Sequence, residues 1–509
     1  VDAANRVIKN TGFLYAKMGI TMFVSLYTTR LLLSSLGASD FGIFNVVGGA
    51  IAMLGFLNAA MAGATQRFMS IAEGEGKPEK KKIIFNLSVV LHVLIAILLG
   101  IILLIAGYFF FNGILNIPDD RVFAAKVVYA SMVVSTMFTV MTVPYEAVLN
   151  SHENMLYYAI IGVIESFLKL AVAFVVVYAL QDKLIVYGVL MTVISLLIMA
   201  VMCIYCHRNY EECTIAPQRY WDRFLMRQMT RFAGWNLLNN ASRMISQYGL
   251  SVVLNNFFGA ILNAAQGIAN QISGQLMAFS NTMIKAVSPA IAKSEGAGER
   301  DKMLNASLLS AKYGYLLFAI FAVPFLLETP YILDIWLEEV PDWAVLFVRL
   351  QLILLLVEQL TLMVGRSVEV QGDIKVYFAL QSFLNILPIV LTYLFFSLGF
   401  PPYYLYVIWI LVGGVISGGV CVYFAKLKCG LKISDFMHKV FYPSVIPTIG
   451  MLMTGATLVY WLQESFPRLL FVTGMTTISF VIIVYVTMAQ EEKSMIVNLI
   501  KLLKKRIFK

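Results

Sequence analysis

The sequence predicts an all-α polytopic membrane protein with about fourteen transmembrane helices, ordered as two parallel six-helix repeats followed by two C-terminal helices. Three observations predict it. The 509 residues are 60% hydrophobic and 13% charged, with a mean hydropathy of +0.80, whereas soluble domains run about 45–50% apolar and about 25% charged. Apolar runs of about 20 residues, the length that crosses a bilayer, recur along the whole chain. The chain also resembles itself at a shift of 222 residues.

Taken in order, the spans fall at about 11–33, 42–66, 83–110, 123–147, 156–180, 184–206 and 233–258. They continue at about 262–288, 305–327, 343–365, 376–398, 402–425, 443–462 and 467–488. These runs are too long and too uniformly apolar for the alternating strands of an outer-membrane barrel. Opening on Val1 rather than Met, the chain reads as trimmed at its start, and no short signal-peptide core precedes the first run.

The net charge of +9 does not point to nucleic acid, because no basic stripe with interleaved aromatics accompanies it. It follows membrane topology instead. With the N-terminus inside, 27 of the 38 Lys and Arg residues fall on the inner side and six on the outer. Positive charge collects in cytoplasmic loops, so both termini are expected in the cytoplasm. The outer segment holding Glu328, Asp334, Glu338, Glu339 and Asp342 is acidic, which the rule permits.

The internal match is carried by loops as well as by apolar runs. At the shift of 222, Gly12 meets Gly234, and Leu36-Gly37-Ala38 meets Phe258-Gly259-Ala260. Glu73-Gly74-Glu75-Gly76 meets Glu295-Gly296-Ala297-Gly298, and Lys80 meets Lys302. Hydrophobicity alone does not align such a loop. Six spans separate the copies, so the repeats are parallel, a transporter pattern. The expected organisation is an N-lobe over 1–206, a basic cytoplasmic linker over 207–232 and a C-lobe over 233–425. Two further helices and a basic cytoplasmic tail then fill 426–509.

Polar residues inside spans mark the candidate site, since unpaired polar groups are costly against lipid. The eighth span carries Asn263, Gln266, Asn270, Ser273 and Ser280 at helical spacing. The seventh carries Asn236, Asn239, Asn240, Arg243 and Gln247, and the first carries Lys17, Thr21, Ser25 and Thr28. The amides can serve as helix–helix glue or as cavity lining. The intramembrane cations Lys17 and Arg243 read as functional. Lys285, near the inner end of the eighth span, either joins them or extends its ammonium to the interface. Glu165 precedes Lys169 by one turn and can neutralise it. Glu358, mid-way along the tenth span, can carry a coupling ion or pair with a cation on a neighbouring helix.

Several chemistries are set aside. Cys203-Ile204-Tyr205-Cys206-His207 matches a c-type haem pattern but sits on the cytoplasmic side, and the five cysteines are expected as reduced thiols. The four histidines are scattered, so no metal site is expected. No Walker sequence is present, so no ATPase is expected and the energy is expected from a gradient, with Na+ or H+ as candidate coupling ions, from the substrate or from a partner; no catalytic residue and no cofactor are expected.

Near the start, Asn5-Arg6 and Asn10-Thr11-Gly12 lead into the first span. Then come Arg30-Leu31-Leu32-Leu33-Ser34-Ser35-Leu36-Gly37-Ala38-Ser39-Asp40-Phe41-Gly42-Ile43-Phe44, Arg67 and the Glu73–Lys82 loop. This pattern resembles the polysaccharide transporter family, the O-antigen and capsule flippases of the multidrug/oligosaccharidyl-lipid/polysaccharide (MOP) superfamily. The resemblance implies a MATE-like fold with a central cavity lined mainly by helices 1, 2, 7 and 8. It implies alternating access in a bacterial inner membrane and a substrate of undecaprenyl-diphosphate-linked oligosaccharide. It also implies a monomer that works in the bilayer beside glycan polymerase or ligase machinery. Two alternatives stay open: a MATE-type cation-coupled multidrug exporter and, through the two extra helices, a lipid II flippase. Cation exporters call for buried carboxylates in the cavity, whereas spans 1, 7 and 8 carry Lys17, Arg243 and Lys285 and no mid-span acid. A membrane-embedded polymerase or ligase would need a large outer loop, and the longest here, about 328–342, is short.

Overall fold

In a computed structural model the chain is described over residues 2–52, 55–114, 118–337, 339–488 and 492–493. The expected basic tail, with Lys501, Lys504, Lys505, Arg506 and Lys509, lies outside the described residues. Within them the fold is helical and holds no strand.

The helices are α1 (Asp2–Ala52), α2 (Gly55–Glu75), α3 (Pro78–Phe109), α4 (Val122–Ser151), α5 (Met155–Tyr178), α6 (Lys183–Asn209), α7 (Arg223–Phe258) and α8 (Ala260–Gly296). There follow α9 (Arg300–Leu327), a short α10 (Thr329–Trp336), α11 (Ala344–Gln371) and α12 (Lys375–Ser397). Last come α13 (Tyr404–Cys429), α14 (Ile433–Trp461) and α15 (Phe466–Thr487). Among the described residues, 11 helices are long and apolar enough to cross a membrane. The three expected spans outside that set are 42–66, 233–258 and 262–288. The described helices cover most of these positions too; at 233–258 and 262–288 amides, hydroxyls and the cations Arg243 and Lys285 lower the hydropathy.

Glycine marks the repeat in the backbone. Gly37 breaks α1 at φ 76, ψ 168, and Gly259 separates α7 from α8 at φ 80. The equivalent pair Gly76 and Gly298 ends α2 and α8 at φ 66 and 75. All four occupy the region that side chains with a Cβ avoid. The α1 break falls where the sequence suggests a loop, and the helix resumes at once.

Several helices overrun their expected ends. α2 continues to Glu75 rather than 66, because Thr65 and Ser70 are fully buried there. Thr65 accepts a hydrogen bond from Ser88 of α3 at 3.3 Å. The 207–232 linker is likewise strapped down. The Asn86 amide donates to the Thr214 carbonyl and accepts from the Ala216 N–H, each at 2.8 Å.

The chain packs as two compact units, Val1–Ala241 with Ile284–Met303, and Ser242–Met283 with Leu304–Lys509. In the first, α4 lies along α6 and α1 along α5, over cores that include Val47, Leu103, Val128 and Leu184 and Leu32, Val172 and Val176. In the second, one core joins Leu250, Phe318, Phe347, Leu352, Tyr406 and Met451. There α14 and α15 form a hairpin, which Arg468 pins to α9. Its guanidinium lies 2.8 Å from Glu328, and both side chains are almost fully buried. Glu328 is therefore not one of the exposed charges of its acidic segment. Lys312, buried on α9, pairs with Glu492 at 2.6 Å.

Candidate functional site

The site in the first unit is built on one face of α5. Tyr158, Gly162, Glu165 and Lys169 recur at steps of four, three and four, so they lie on one stripe. The long α1–α5 contact brings Lys17 over this stripe, with its ammonium 4.1 Å from the centre of the Tyr158 ring. Gly162 makes the room: a Cβ there would run into the Lys17 side chain. From α8, Lys285 reaches the same ring, 4.4 Å from its centre, and donates a hydrogen bond to the phenol oxygen. Two ammonium groups from helices far apart in sequence thus share one tyrosine.

Among the described residues, neither ammonium has a carboxylate at ion-pair distance. Glu146 and Glu165 act on Lys17 from farther away. Glu165 is already held by Lys169 at 2.6 Å, the one-turn pair expected from their spacing. The ring face offsets part of the repulsion between the lysines, since a cation over tyrosine gains about 0.5–2 kcal/mol. It neutralises neither charge.

In the second unit, Arg243 of α7 lies 3.9 Å from Glu358 of α11. The guanidinium side chain is 54% exposed and the carboxylate side chain 22%. This is a loose contact between a cation that faces open space and an acid that is mostly covered. Sequence spacing leaves Glu358 a choice between ion carrier and helix partner, and Arg243 is the cation that lies near it.

The amides divide. Gln266 is buried and accepts a hydrogen bond from Ser251 at 2.7 Å, a packing contact between α8 and α7. Asn240 donates to Asn236 at 3.5 Å, and Asn236 donates to the Ala60 carbonyl at 3.1 Å. Asn239 and Asn270 are partly exposed. Lys17 meets Lys285 within one unit, while Arg243 meets Glu358 within the other. The residues missed in the sequence are Tyr158 and Gly162. The four–three–four stripe on α5 was a usable signal, masked because its two charges read as a self-contained pair. All five cysteines are free thiols, and among the described residues no group of His, Cys, Asp or Glu is arranged to hold a metal.

Solved structures with this fold are membrane transporters. A crystal structure of a MATE mutant superposes with a TM-score of 0.73 at 13% identity, covering 84% of this chain and 96% of that one. An outward-facing multidrug resistance MATE family transporter of the MOP superfamily gives 0.70 at 13% identity, over 84% and 96%. A MOP superfamily transporter from Pyrococcus furiosus, described as having a binding pocket of reverse polarity, gives 0.68 at 15% identity, over 85% and 96%. No curated protein matches the sequence. Fold and apolar helices together define a multi-pass helical membrane protein with the fold seen in these MATE and MOP superfamily structures. Within that class the chain belongs to the polysaccharide biosynthesis protein family, whose model matches residues 7–295.

Proposed function

We propose that the protein is a flippase that moves an undecaprenyl-diphosphate-linked oligosaccharide from the cytoplasmic to the outer leaflet of a bacterial inner membrane, with both termini in the cytoplasm. The observation that carries this reading is the Lys17–Tyr158–Lys285 cluster. It presents two ammonium groups beside one phenol, neither in an ion pair among the described residues, a match for the two phosphates of a diphosphate. Lysine binds phosphate as a point charge. The polar glycan would stay in water beside the cluster, with the prenyl chain left in lipid.

The test is reconstitution into proteoliposomes with a fluorescent prenyl-diphosphate oligosaccharide loaded in one leaflet. The expected result is protein-dependent transfer to the other leaflet, competed by the same lipid diphosphate without its sugar. Export of organic cations with no movement of the lipid would overturn the reading in favour of a multidrug exporter. Arg243 and Glu358 supply the coupling step. When the 3.9 Å contact between Arg243 and Glu358 opens, Glu358 takes up H+ or Na+ from water. Glu358→Gln is expected to reduce gradient-driven flipping to the passive level while binding of the lipid diphosphate is retained. Full gradient-driven transport in this variant removes Glu358 from the cycle.

A further inference from the structure

The recurring loop motif forms a close backbone contact between its two copies. A Cβ built on Gly74 would collide with the backbone carbonyl of Lys293, and one built on Gly296 with the backbone carbonyl of Ile71. The pairs are reciprocal: 71 and 293, like 74 and 296, are related by the shift of 222. The last turns of α2 and α8 therefore cross backbone to backbone in a self-complementary way, as two copies do about a two-fold axis. Both segments belong to the first unit, and this crossing is part of what holds 284–303 there.

The charges around the crossing are unequal. Lys293 of α8 lies 3.8 Å from Glu73 and 3.8 Å from Glu153. Glu73 has firmer partners on its own side, Lys81 at 2.7 Å and His152 at 3.5 Å. His152 in turn reaches Glu212 at 2.5 Å and stacks on Tyr210. Burial opposes the charge on Glu212, but the hydrogen bond from His152 and the nearby Lys81 hold its carboxyl below the usual carboxylate range. Glu295, the repeat equivalent of Glu73, pairs locally with Arg300 at 2.5 Å.

We propose that the Gly74–Gly296 crossing, latched by Lys293 on Glu73 and Glu153, is the gate on the side of the α2–α3 and α8–α9 turns, and that it parts once in every transport cycle. The proposal rests on the transporter class and not on the identity of the substrate. Its physical logic is releasability. Close-packed backbones exclude water when joined, yet no interlocking side chain has to be withdrawn. When α8 leaves, Glu73 keeps Lys81 and His152, so it is not left as an unpaired buried charge, the outcome that makes breaking most buried pairs costly. Glycine also explains why both copies of the motif are needed, since one Cβ on either side forces the backbones apart.

The substitutions Gly74→Ala and Gly296→Ala lie inside helices, where alanine is the better former, so each strains the crossing and not its own helix. In a background freed of the five native cysteines, Ala292→Cys reports the joint, because Ala292 is 3% exposed on the last turns of α8. Gly296→Ala is expected to raise alkylation of this cysteine by a water-soluble maleimide at least about tenfold, the change that a shift of about 1.4 kcal/mol in a two-state equilibrium produces. An unchanged alkylation rate in both glycine variants overturns the gate, and the measurement needs no substrate. In a second arm, Glu73→Cys with Lys293→Cys is joined by a short reducible bifunctional reagent and surface glycan is read in cells. Joined protein should stop and reduced protein resume. Full function while joined overturns the proposal. Absence of transport in the parent protein bears on the substrate reading alone.

Discussion

Replacing both Lys17 and Lys285 with alanine is expected to lower flipping of a diphosphate-linked substrate by roughly 10²- to 10⁴-fold, taking each charge-assisted hydrogen bond at about 1.5–3 kcal/mol. Single alanine substitutions should each cost roughly 10- to 150-fold on the same scale. The magnitudes follow from geometry. Both ammonium groups converge on Tyr158 and neither is spent on a carboxylate. Tyr158→Phe keeps the ring under both cations and loses the hydrogen bond to Lys285, so its effect should be the mildest of the set. Tyr158→Leu removes the shared ring and should approach the single lysine variants. Gly162→Ala adds the Cβ that collides with Lys17 and should displace that ammonium without changing any charge. The measurement is surface polysaccharide in a strain lacking its own flippase, with protein levels matched. Full surface glycan from the double alanine variant would assign the two lysines to packing and remove the basis of the substrate reading.

Arg468→Ala is expected to destabilise the protein by about 3–5 kcal/mol, the typical cost of leaving one member of a buried ion pair alone. Glu328 is fully buried, and Arg468 is its partner at 2.8 Å. The guanidinium also donates to the Leu462 carbonyl, at the end of α14, at 3.2 Å. Removing it therefore loosens the α14–α15 hairpin from α9 as well. Thermal unfolding in detergent should show a clear fall for Arg468→Ala and for Glu328→Ala. The double replacement Glu328→Leu with Arg468→Met should recover much of the loss, because apolar side chains of similar volume often replace buried ion pairs at little cost. Equal stability of Arg468→Ala and the parent protein would show that the hairpin is held by its apolar contacts alone.

Much of this protein was legible as sequence. Hydropathy and span length alone determined that the chain crosses a membrane many times as helices. The 11 helices long and apolar enough to cross a membrane among the described residues fall on expected spans, and the helix ends differ most where polar residues continue a helix past the apolar stretch, as at 67–75 and 223–232. The loop motif at 73–76 and 295–298 exposed the repeat, and the backbone repeats it at Gly37 and Gly259 and at Gly76 and Gly298. These properties are local. Helical propensity, hydrophobic length and glycine conformation act over a few residues, so a linear reading captures them.

The tertiary structure alone decided which charges meet. Lys17, Arg243, Lys285 and Glu358 were all visible as polar groups in apolar runs, yet nothing in their spacing joins Lys17 to Lys285 through Tyr158 or Arg243 to Glu358. Nor did spacing show that Gln266 is consumed by Ser251, or that Lys293 reaches Glu73 and Glu153. Periodicity tells which residues of one helix share a face. The neighbour that face receives depends on the rotation, shift and crossing of a second helix. Those are set by how side chains of both helices interlock, at Gly162 and at the Gly74–Gly296 crossing by the absence of a side chain, and they have no one-dimensional signature.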